Sequence, residues 1–221
     1  MNDLTLIIPA KNEAESLPIV LNELKKFEYK ICIVLHGTDT KTIESLKNYD
    51  VNIIYQKNFG YGDAIIEGIN NCNTDYFCIF NADGSFNPAE IDNMFKSMQN
   101  RELDFIFASR YEPNSGSEDD TMLTLIGNYI FSYIGKIFFR LNISDILYTF
   151  LIGSTNKAKK LNLSQKDFSF CVELPIKAKK KQMKLGCVNA FERKRIAGKK
   201  KVNAFRDGFL ILSCMIKLFF K

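Results

Sequence analysis

Short apolar segments alternate with helix-length amphipathic segments over the first 110 residues, and this alternation restricts the chain to few folds. Asn12, with Glu15 three residues later, has the spacing of a helix N-cap and its capping-box partner. Apolar strands separated by helices are typical of a parallel sheet with helices on both faces, so an α/β fold is predicted. Strands are predicted at residues 4–10, 30–37, 51–56, 76–84 and 104–111, and helices after Asn12 and near 40–48, 60–72 and 88–99.

Polar residues follow the predicted strands, at residues 9–13, 36–37, 81–83 and 109–110. In open α/β sheets, ligands bind outside the carboxyl ends of the strands. We therefore expect a binding site at that edge of the sheet, built from the loops that follow the strands.

The segment FNADGSF, residues 80–86, places Asn81 and Asp83 two residues apart directly after a predicted strand. Two carboxylates in this position would indicate a divalent metal site, but this chain has one carboxylate and one amide. An amide oxygen can coordinate a hard cation, yet it carries no charge, so the metal affinity is expected to be lower. Considered without the rest of the chain, Asn-x-Asp-Gly is more typical of a simple turn.

The histidine and cysteine content excludes several kinds of chemistry. His36 is the one histidine in the sequence, which excludes a histidine-based metal cluster or nucleophile triad, and with it zinc chemistry. The six cysteines form no C-x-x-C pair and lie in apolar surroundings. Because no signal peptide is recognised at the N-terminus, we expect reduced, buried thiols in a cytosolic protein.

The two parts of the chain carry opposite net charge. Residues 1–150 hold 12 Lys and Arg against 21 Asp and Glu, whereas residues 151–221 hold 18 against 4. A basic region of this size suits an anionic partner such as acidic lipid headgroups or a polyphosphate, although any single lysine run is also explained as a solvated face. No nucleic acid is expected, because the region lacks stacking aromatic residues on a recognised binding module.

Two segments of the second half, residues 121–141 and 205–221, are apolar and aromatic. Both fall short of the roughly 20 uninterrupted apolar residues of a membrane span; Asn128, Lys136 and Arg140 interrupt the first. Each is expected to form an amphipathic helix that lies in a membrane interface or packs on the core or a second subunit. The membrane is favoured for residues 205–221. Residues 112–120, EPNSGSEDD, are predicted to form a mobile loop.

The motifs, taken in order, resemble those of family-2 glycosyltransferases with the GT-A fold, and most of all the dolichyl-phosphate mannose synthase-like branch. The resemblance spans almost the whole chain and implies a Rossmann-like, mostly parallel sheet in residues 1–204, followed by the C-terminal amphipathic helix. The matching segments are IIPAKNEAESL (7–17), NFGYGDAIIEGI (58–69), NADGSFNPAEI (81–91), ASRY (108–111), the segment 128–145, FCVELPIKAKKK (170–181) and RIAGKKKV (195–202).

The resemblance implies a site for a nucleotide-sugar donor with Mg²⁺ or Mn²⁺. The implied metal residues are Asp83, Asn81 and Ser85, and the implied catalytic residues are Asp83, Arg110 and Asp145. Glu173 matches a residue near the metal, and Lys199 and Lys200 are expected to compensate for the charge that Asn81 lacks. The implied donor-binding residues are Pro9, Ala10, Asn12, Glu13, Gly60, Gly62, Asn81, Ala82, Arg195 and Lys201.

Three segments depart from the family pattern. Leu35-His36-Gly37-Thr38 replaces an acidic turn that contacts the nucleotide base, so the resemblance leaves the nucleotide open. The segment Asp145–Leu151 lacks the arginine of the family's D-x-x-S-G-F-R. The loop after Arg110 is acidic where basic residues usually help to hold a lipid phosphate.

The sequence thus predicts a glycosyltransferase that moves a hexose from a GDP- or UDP-sugar to a polyprenyl phosphate, with inversion. It is expected to be cytoplasmic and peripheral on the inner face of the membrane. An acceptor phosphate is already anionic and needs no general base. One alternative is transfer to a saccharide hydroxyl in capsule or lipopolysaccharide assembly, with Asp145 as the base. The other is a non-catalytic nucleotide-sugar-binding relative.

Overall fold

A computed structural model describes residues 3–198 and 201–220 of the chain. All strands and helices predicted in the first 110 residues are present, with somewhat shorter ends. The strands are β1 (Leu4–Ala10), β2 (Lys30–Leu35), β3 (Asn52–Tyr55), β4 (Tyr76–Ile79), β5 (Phe105–Ser109), β6 (Gly116–Ser117), β7 (Leu151–Ser154), β8 (Leu185–Asn189) and β9 (Phe191–Glu192). The helices are α1 (Leu17–Leu24), α2 (Thr40–Ser45), α3 (Tyr61–Asn71), α4 (Glu90–Asn100), α5 (Met122–Phe139), α6 (Thr155–Lys159), α7 (Phe170–Lys180) and α8 (Ala204–Phe219).

The main sheet has seven strands in the order β3-β2-β1-β4-β7-β5-β8. All neighbours pair in parallel except β7, which runs antiparallel to both β4 and β5. The predicted mostly parallel sheet is confirmed. A second sheet of two short parallel strands joins β6 to β9.

Helices cover both faces of the main sheet, because alternate residues of each strand point to opposite sides. Ile7 belongs to a core cluster with apolar residues of α3, α7 and α8. Its neighbours Leu6 and Ile8 belong to a second cluster with apolar residues of α1 and α4. The central strands are therefore buried on both sides, which explains why they are apolar without alternation.

The first helix begins later than predicted, so the prediction of Asn12 as its cap is wrong. Asn12 has φ 53°, and its backbone nitrogen donates to Asp39 Oδ2 at 2.6 Å. The helix begins after Ser16, with Pro18 in its first turn. Proline favours this position because its fixed φ suits the start of a helix and its missing N–H is not needed there.

Residues 112–120 were predicted to form a mobile loop, but they hold a strand and several partly buried polar contacts. The strand β6 pairs with β9, and the backbone nitrogen of Glu118 donates to the Glu192 carbonyl at 2.9 Å. Ser117 Oγ accepts hydrogen bonds from the backbone nitrogens of Asp119 and Asp120 at 3.1 and 2.9 Å. The backbone of this segment is thus fixed against β9.

Helices α5 and α8 lie against each other, and α5 also contacts α7 and the segment before β7. Ser132 Oγ accepts from the backbone nitrogen of Ile146 at 3.1 Å, which fixes one face of α5. Its opposite face exposes apolar side chains. The sequence predicts that residues 121–141 are a poor membrane span. The helix α5 ends before Arg140, however, so this charge lies outside it. In the part of the chain that the structure describes, α5 is the one helix long and apolar enough to cross a membrane.

The cysteines are free thiols, as predicted, and five of the six are buried. Cys187 is the exception, being partly exposed on β8. Burial raises the pKa of Cys32 to about 11 and that of Cys171 to about 12. These thiols therefore stay protonated near neutral pH.

Candidate active site

The turn that follows β4 brings the predicted metal residues together. Ser85 donates two hydrogen bonds to Asp83 Oδ1, from its backbone nitrogen at 3.1 Å and from Oγ at 2.8 Å. Asp83 Oδ2 faces Arg195 Nη1 at 3.5 Å. Gly84 has φ 80°, which glycine adopts without the clash that a Cβ would cause, and this reverses the chain direction. The adjoining Ala82 is buried.

Asn81 is held by Tyr61, a residue whose role the sequence did not indicate. The Tyr61 hydroxyl donates to Asn81 Oδ1 at 3.3 Å and lies 2.5 Å from Thr149 Oγ1. Its ring stacks on Phe168, with 5.1 Å between the ring centroids. Burial raises the pKa of Tyr61, so the hydroxyl keeps its proton and remains a donor. Its position between the glycines of NFGYGD is the signal that could have drawn attention to it.

The segment that follows β9 lies over the turn after β4. The backbone nitrogens of Arg193 and Ile196 donate to the Ser85 and Asp83 carbonyls, each at 2.8 Å. A Cβ on Gly84 would lie 2.7 Å from Ile196 Cγ1, so only glycine leaves room for this close contact. The contacts bring Arg195 beside Asp83.

The loop after β1 contains Glu13, which contacts a second cation, Lys201. Glu13 is buried, and its carboxylate forms an ion pair with Lys201 and accepts from Ser16 Oγ at 2.6 Å. A Cβ on Gly198 would lie 3.9 Å from Glu13 Oε2, so the segment after β9 reaches this loop as well. Two cations and two carboxylates therefore meet where β1 and β4, neighbours in the sheet, end.

The remaining predicted residues of this loop lie at the end of β1 or just after it. Pro9 and Ala10 pair with Val34 and Leu35 of β2 and so form part of the sheet. Asn12 follows them, and Asp39, which sequence reasoning missed, binds its backbone nitrogen and caps α2 through Thr42. The spacing of Asp39 to Thr42 at the start of a predicted helix was a signal for that cap.

Arg110 and Asp145 form a buried ion pair. Asp145 Oδ2 accepts from the backbone nitrogen and Nε of Arg110 at 3.1 and 2.7 Å, and Oδ1 accepts from Nη2 at 3.0 Å and from Asn128. Arg110 Nη1 lies 3.0 Å from Glu192 Oε2. Burial alone would lower the pKa of Arg110, but the hydrogen bonds and charge of Asp145, together with Glu192, raise it.

The ion pair occupies the side-chain atoms that Asp145 would use as a general base and that Arg110 would use to bind a phosphate. Asp145 is fully buried and both its oxygens accept hydrogen bonds, an arrangement that does not leave it available as a general base. Three nitrogens of the Arg110 side chain point to carboxylates of the protein itself, where a phosphate contact was expected. Here Arg110, directly after β5, is tied to the segment before β7 through Asp145 and to β9 through Glu192.

The donor atoms around Asp83 can be tested for their fit to Mg²⁺ or Mn²⁺. Asp83, Asn81 and Ser85 offer only oxygen ligands, which these hard cations prefer, but only one of the three is charged. Among residues 3–198 and 201–220 there is no group of three or more His, Cys, Asp or Glu side chains that could hold a metal. Mg²⁺ commonly binds through one or two carboxylates plus substrate phosphates and water. The residues therefore fit a cation that binds together with a diphosphate.

The two glycines predicted to approach a nucleotide contact the protein's own backbone. A Cβ on Gly60 would overlap the Lys166 carbonyl oxygen, and one on Gly62 would lie 2.7 Å from the Asp167 carbonyl oxygen. The small side chain at these positions is thus explained by packing against residues 165–167. Their approach to a nucleotide stays a prediction.

Glu173 is bound to the loop before α7. Its buried carboxylate accepts from the backbone nitrogens of Ser164 and Gln165, at 2.8 to 3.1 Å, and pairs with Lys177. These contacts close the loop before α7, and a position of Glu173 near a metal stays a prediction. Lys199 and Lys200, expected to compensate for Asn81, lie outside the described residues.

Comparison with curated proteins gives relatives among lipid-phosphate sugar transferases. The chain is 25% identical over 205 residues to the UDP-N-acetylglucosamine–dolichyl-phosphate N-acetylglucosaminyltransferase of Methanococcus voltae, covering 82% of each protein. It is 31% identical over 108 residues to the undecaprenyl-phosphate 4-deoxy-4-formamido-L-arabinose transferase of Photorhabdus laumondii. The second match covers 43% of this chain and 33% of that protein.

Comparison with solved structures shows the fold. Glucosyl-3-phosphoglycerate synthase from Mycobacterium tuberculosis, crystallised with Mn²⁺, UDP and glucosyl-3-phosphoglycerate, matches with a TM-score of 0.78 at 9% sequence identity. The match covers 98% of this chain and 80% of that one. The same enzyme crystallised with Mg²⁺ and UDP matches with a TM-score of 0.75.

The sequence profile of glycosyl transferase family 2 matches residues 5–161, well over half of the chain. The profile thus spans β1 through α6, including the loop after β1, the turn after β4 and the Arg110–Asp145 pair. The chain therefore belongs to glycosyl transferase family 2, and it is a glycosyltransferase with the GT-A fold.

Proposed function

We propose that this glycosyltransferase moves a hexose from a UDP- or GDP-sugar to a polyprenyl phosphate, with inversion at the anomeric carbon. The observation that carries the proposal is the meeting of Asp83, Glu13, Arg195 and Lys201 beyond the ends of β1 and β4. Such a site can hold a diphosphate between cations while a carboxylate binds the accompanying metal. Both relatives described above are named for transfer to a polyprenyl phosphate.

Arg195 and Lys201 would bind the diphosphate of the donor. Each cation contacts a carboxylate of the site, Arg195 through Nη1 with Asp83 and Lys201 with Glu13. Phosphate oxygens can replace these carboxylates, because a guanidinium and an ammonium bind both kinds of anion. The negative charge that develops on the leaving nucleoside diphosphate would then be stabilised by residues already in place.

Asp83, with Asn81 and Ser85, would hold Mg²⁺ or Mn²⁺ against the diphosphate. When bound, the metal neutralises the negative charge that develops on the leaving group. Tyr61 keeps the Asn81 side chain in place, and Ser85 fixes one oxygen of Asp83. With one charged ligand from the protein, the metal would bind weakly without nucleotide.

The state of Asp145 favours an acceptor that is already anionic. A saccharide hydroxyl needs a general base, and Asp145, the candidate for it, is buried and bound to Arg110. A phosphate oxygen of the acceptor can attack the anomeric carbon directly. The new carbon–oxygen bond forms on the face opposite the leaving group, the nucleoside diphosphate departs with the electron pair of the broken bond, and the configuration inverts.

A peripheral position on the cytoplasmic face of a membrane would bring the enzyme to a lipid acceptor. Exposed apolar side chains lie on α5 and α8, and Phe219 contacts Phe138 with 5.7 Å between ring centroids, so the two helices adjoin. Lys136 and Lys217 lie in the last turns of these helices, where lysine can reach anionic headgroups. The exposed apolar residues include Ile126, Ile130, Tyr133, Phe205, Phe209 and Ile216.

A binding scan tests the donor site. Thermal unfolding is followed for the wild-type chain with a panel of UDP- and GDP-sugars, each with and without Mn²⁺. The proposal predicts that at least one raises the melting temperature and that Mn²⁺ increases the shift, since a ligand that binds only the folded state stabilises it. If no sugar nucleotide stabilises the protein in either condition, the proposed donor site is refuted.

A further inference from the structure

Arg195 is bound by Asp119, which is not among the site residues that the resemblance implies. Its Nε and Nη2 donate to the two carboxylate oxygens of Asp119, at 3.1 and 2.7 Å. The remaining nitrogen, Nη1, faces Asp83 Oδ2 at 3.5 Å. The guanidinium is therefore held on one side by Asp119 and directed with its free side towards the turn after β4.

Asp119 is itself held in place by the small sheet. It lies two residues after β6, and Arg195 lies three residues after β9. Because β6 and β9 run in parallel, the residues that follow them emerge at the same end. The Asp119 backbone is fixed further by Ser117 Oγ, which donates to Glu192 and accepts from the Asp119 nitrogen.

We propose that Asp119 is a positioning residue for donor binding, because it fixes the Arg195 guanidinium so that Nη1 points to the diphosphate. The inference rests on the proposed function of the site. A free arginine side chain samples many rotamers, and ordering it on binding lowers affinity. The bidentate pair with Asp119 orders it beforehand, and both side chains are largely buried.

The alternative is that Asp119 competes with the donor diphosphate for the Arg195 guanidinium. The geometry argues against it, because Asp119 occupies the two nitrogens that point away from Asp83 and leaves Nη1 directed towards it. The bound donor therefore needs to displace only the longer contact to Asp83, while the pair with Asp119 stays intact.

The test uses the full chain with Mn²⁺ and measures dissociation constants for UDP, GDP, uridine and guanosine. Asp119→Asn keeps the shape of the side chain and removes its charge, and Asp119→Glu keeps the charge. Asp50→Asn removes the same charge at an exposed position and serves as the control. We expect Asp119→Asn to weaken the nucleoside diphosphate about tenfold, in line with one charge-assisted contact, and to leave the nucleoside unchanged. Asp119→Glu should recover part of the loss.

A double variant tests whether Asp119 acts through Arg195. If it does, Asp119→Asn combined with Arg195→Lys binds the diphosphate no more weakly than Arg195→Lys alone. If the affinity losses of the two single variants add in the double variant, the inference is overturned and the proposed function is not. The same holds if Asp119→Asn leaves the diphosphate affinity unchanged. A wild-type chain that binds neither UDP nor GDP would overturn the proposed function, and the inference with it. Melting temperatures of all variants identify any that fail to fold.

Discussion

At position 81 an amide occupies the place where a second carboxylate would bind a divalent cation together with Asp83. The amide is held by Tyr61, so its oxygen has a fixed position beside the turn. A fixed neutral oxygen can still complete a coordination sphere, but it adds no charge attraction. The strength of metal binding at the proposed site should therefore depend on the residue at position 81 as well as on Asp83.

Replacing Asn81 with Asp should raise the affinity for Mn²⁺. The variant places a second negative charge two residues from Asp83, and we expect about a tenfold lower dissociation constant, corresponding to about 1.4 kcal/mol. Calorimetric titration of Mn²⁺ in the presence of UDP or GDP measures it. Asn70→Asp, which adds the same charge at an exposed position on α3, is the matched control. Equal affinity in the wild type and the Asn81 variant would exclude this position from the metal site.

Replacing Asp145 with Asn should destabilise the fold. The change leaves the Arg110 cation buried without its main partner, a loss of about 3 kcal/mol or more for a buried pair. Urea denaturation followed by circular dichroism gives the free energy of unfolding. A variant that unfolds like the wild type yet has lost all transfer activity would instead indicate that Asp145 acts as a base.

At the scale of the elements, α5 and α8 form one exposed apolar surface whose members are far apart in sequence. The double variant Ile130→Glu, Phe209→Glu places a charge on each helix and should strongly reduce binding to vesicles that contain anionic lipids. Co-sedimentation with such vesicles measures the bound fraction. Ile19→Glu changes a residue of similar exposure on α1 and should bind like the wild type. Unchanged binding by the double variant would contradict the proposed membrane face.

The start of α3 packs so closely on residues 165–167 that it tolerates no added methyl group. Gly62→Ala should lower the free energy of unfolding by about 1–3 kcal/mol, as overpacking does in a well-packed core. Gly127→Ala on α5 meets no atom within 4 Å and should raise it by about 0.5–1 kcal/mol through helix propensity. Denaturation of the two variants under the same conditions tests the pair, and equal stability would contradict the packing assigned to Gly62.

At the scale of the whole molecule, the central sheet and most of the turn after β4 could be predicted from the sequence. Each central strand is buried on both faces, which leaves a continuous apolar run that marks it. β7 was missed because it has only four residues and contains Gly153, whose missing side chain makes room for Phe105. Nothing local distinguishes such a segment from a loop.

The contacts of the charged residues could not be predicted, because they depend on distant pairings. Asp119 and Arg195 are 76 residues apart and meet only through β6 and β9, strands of two residues each. The prediction that Asn12 caps α1 was wrong for the same reason, since its N–H donates to Asp39, which lies in the loop after β2. The sequence thus indicated the strands of the first half more reliably than it indicated the partners of the charged residues.

One measurement tests the central claim most directly. Wild-type enzyme with Mn²⁺ is given labelled UDP- and GDP-sugars together with either a polyprenyl phosphate or a panel of saccharides, and the labelled products are separated by solubility in organic solvent. We predict a labelled glycolipid from the polyprenyl phosphate, no transfer to saccharides, and loss of the product in Asp83→Ala. Transfer to saccharide hydroxyls alone, or full activity of Asp83→Ala, would contradict the account.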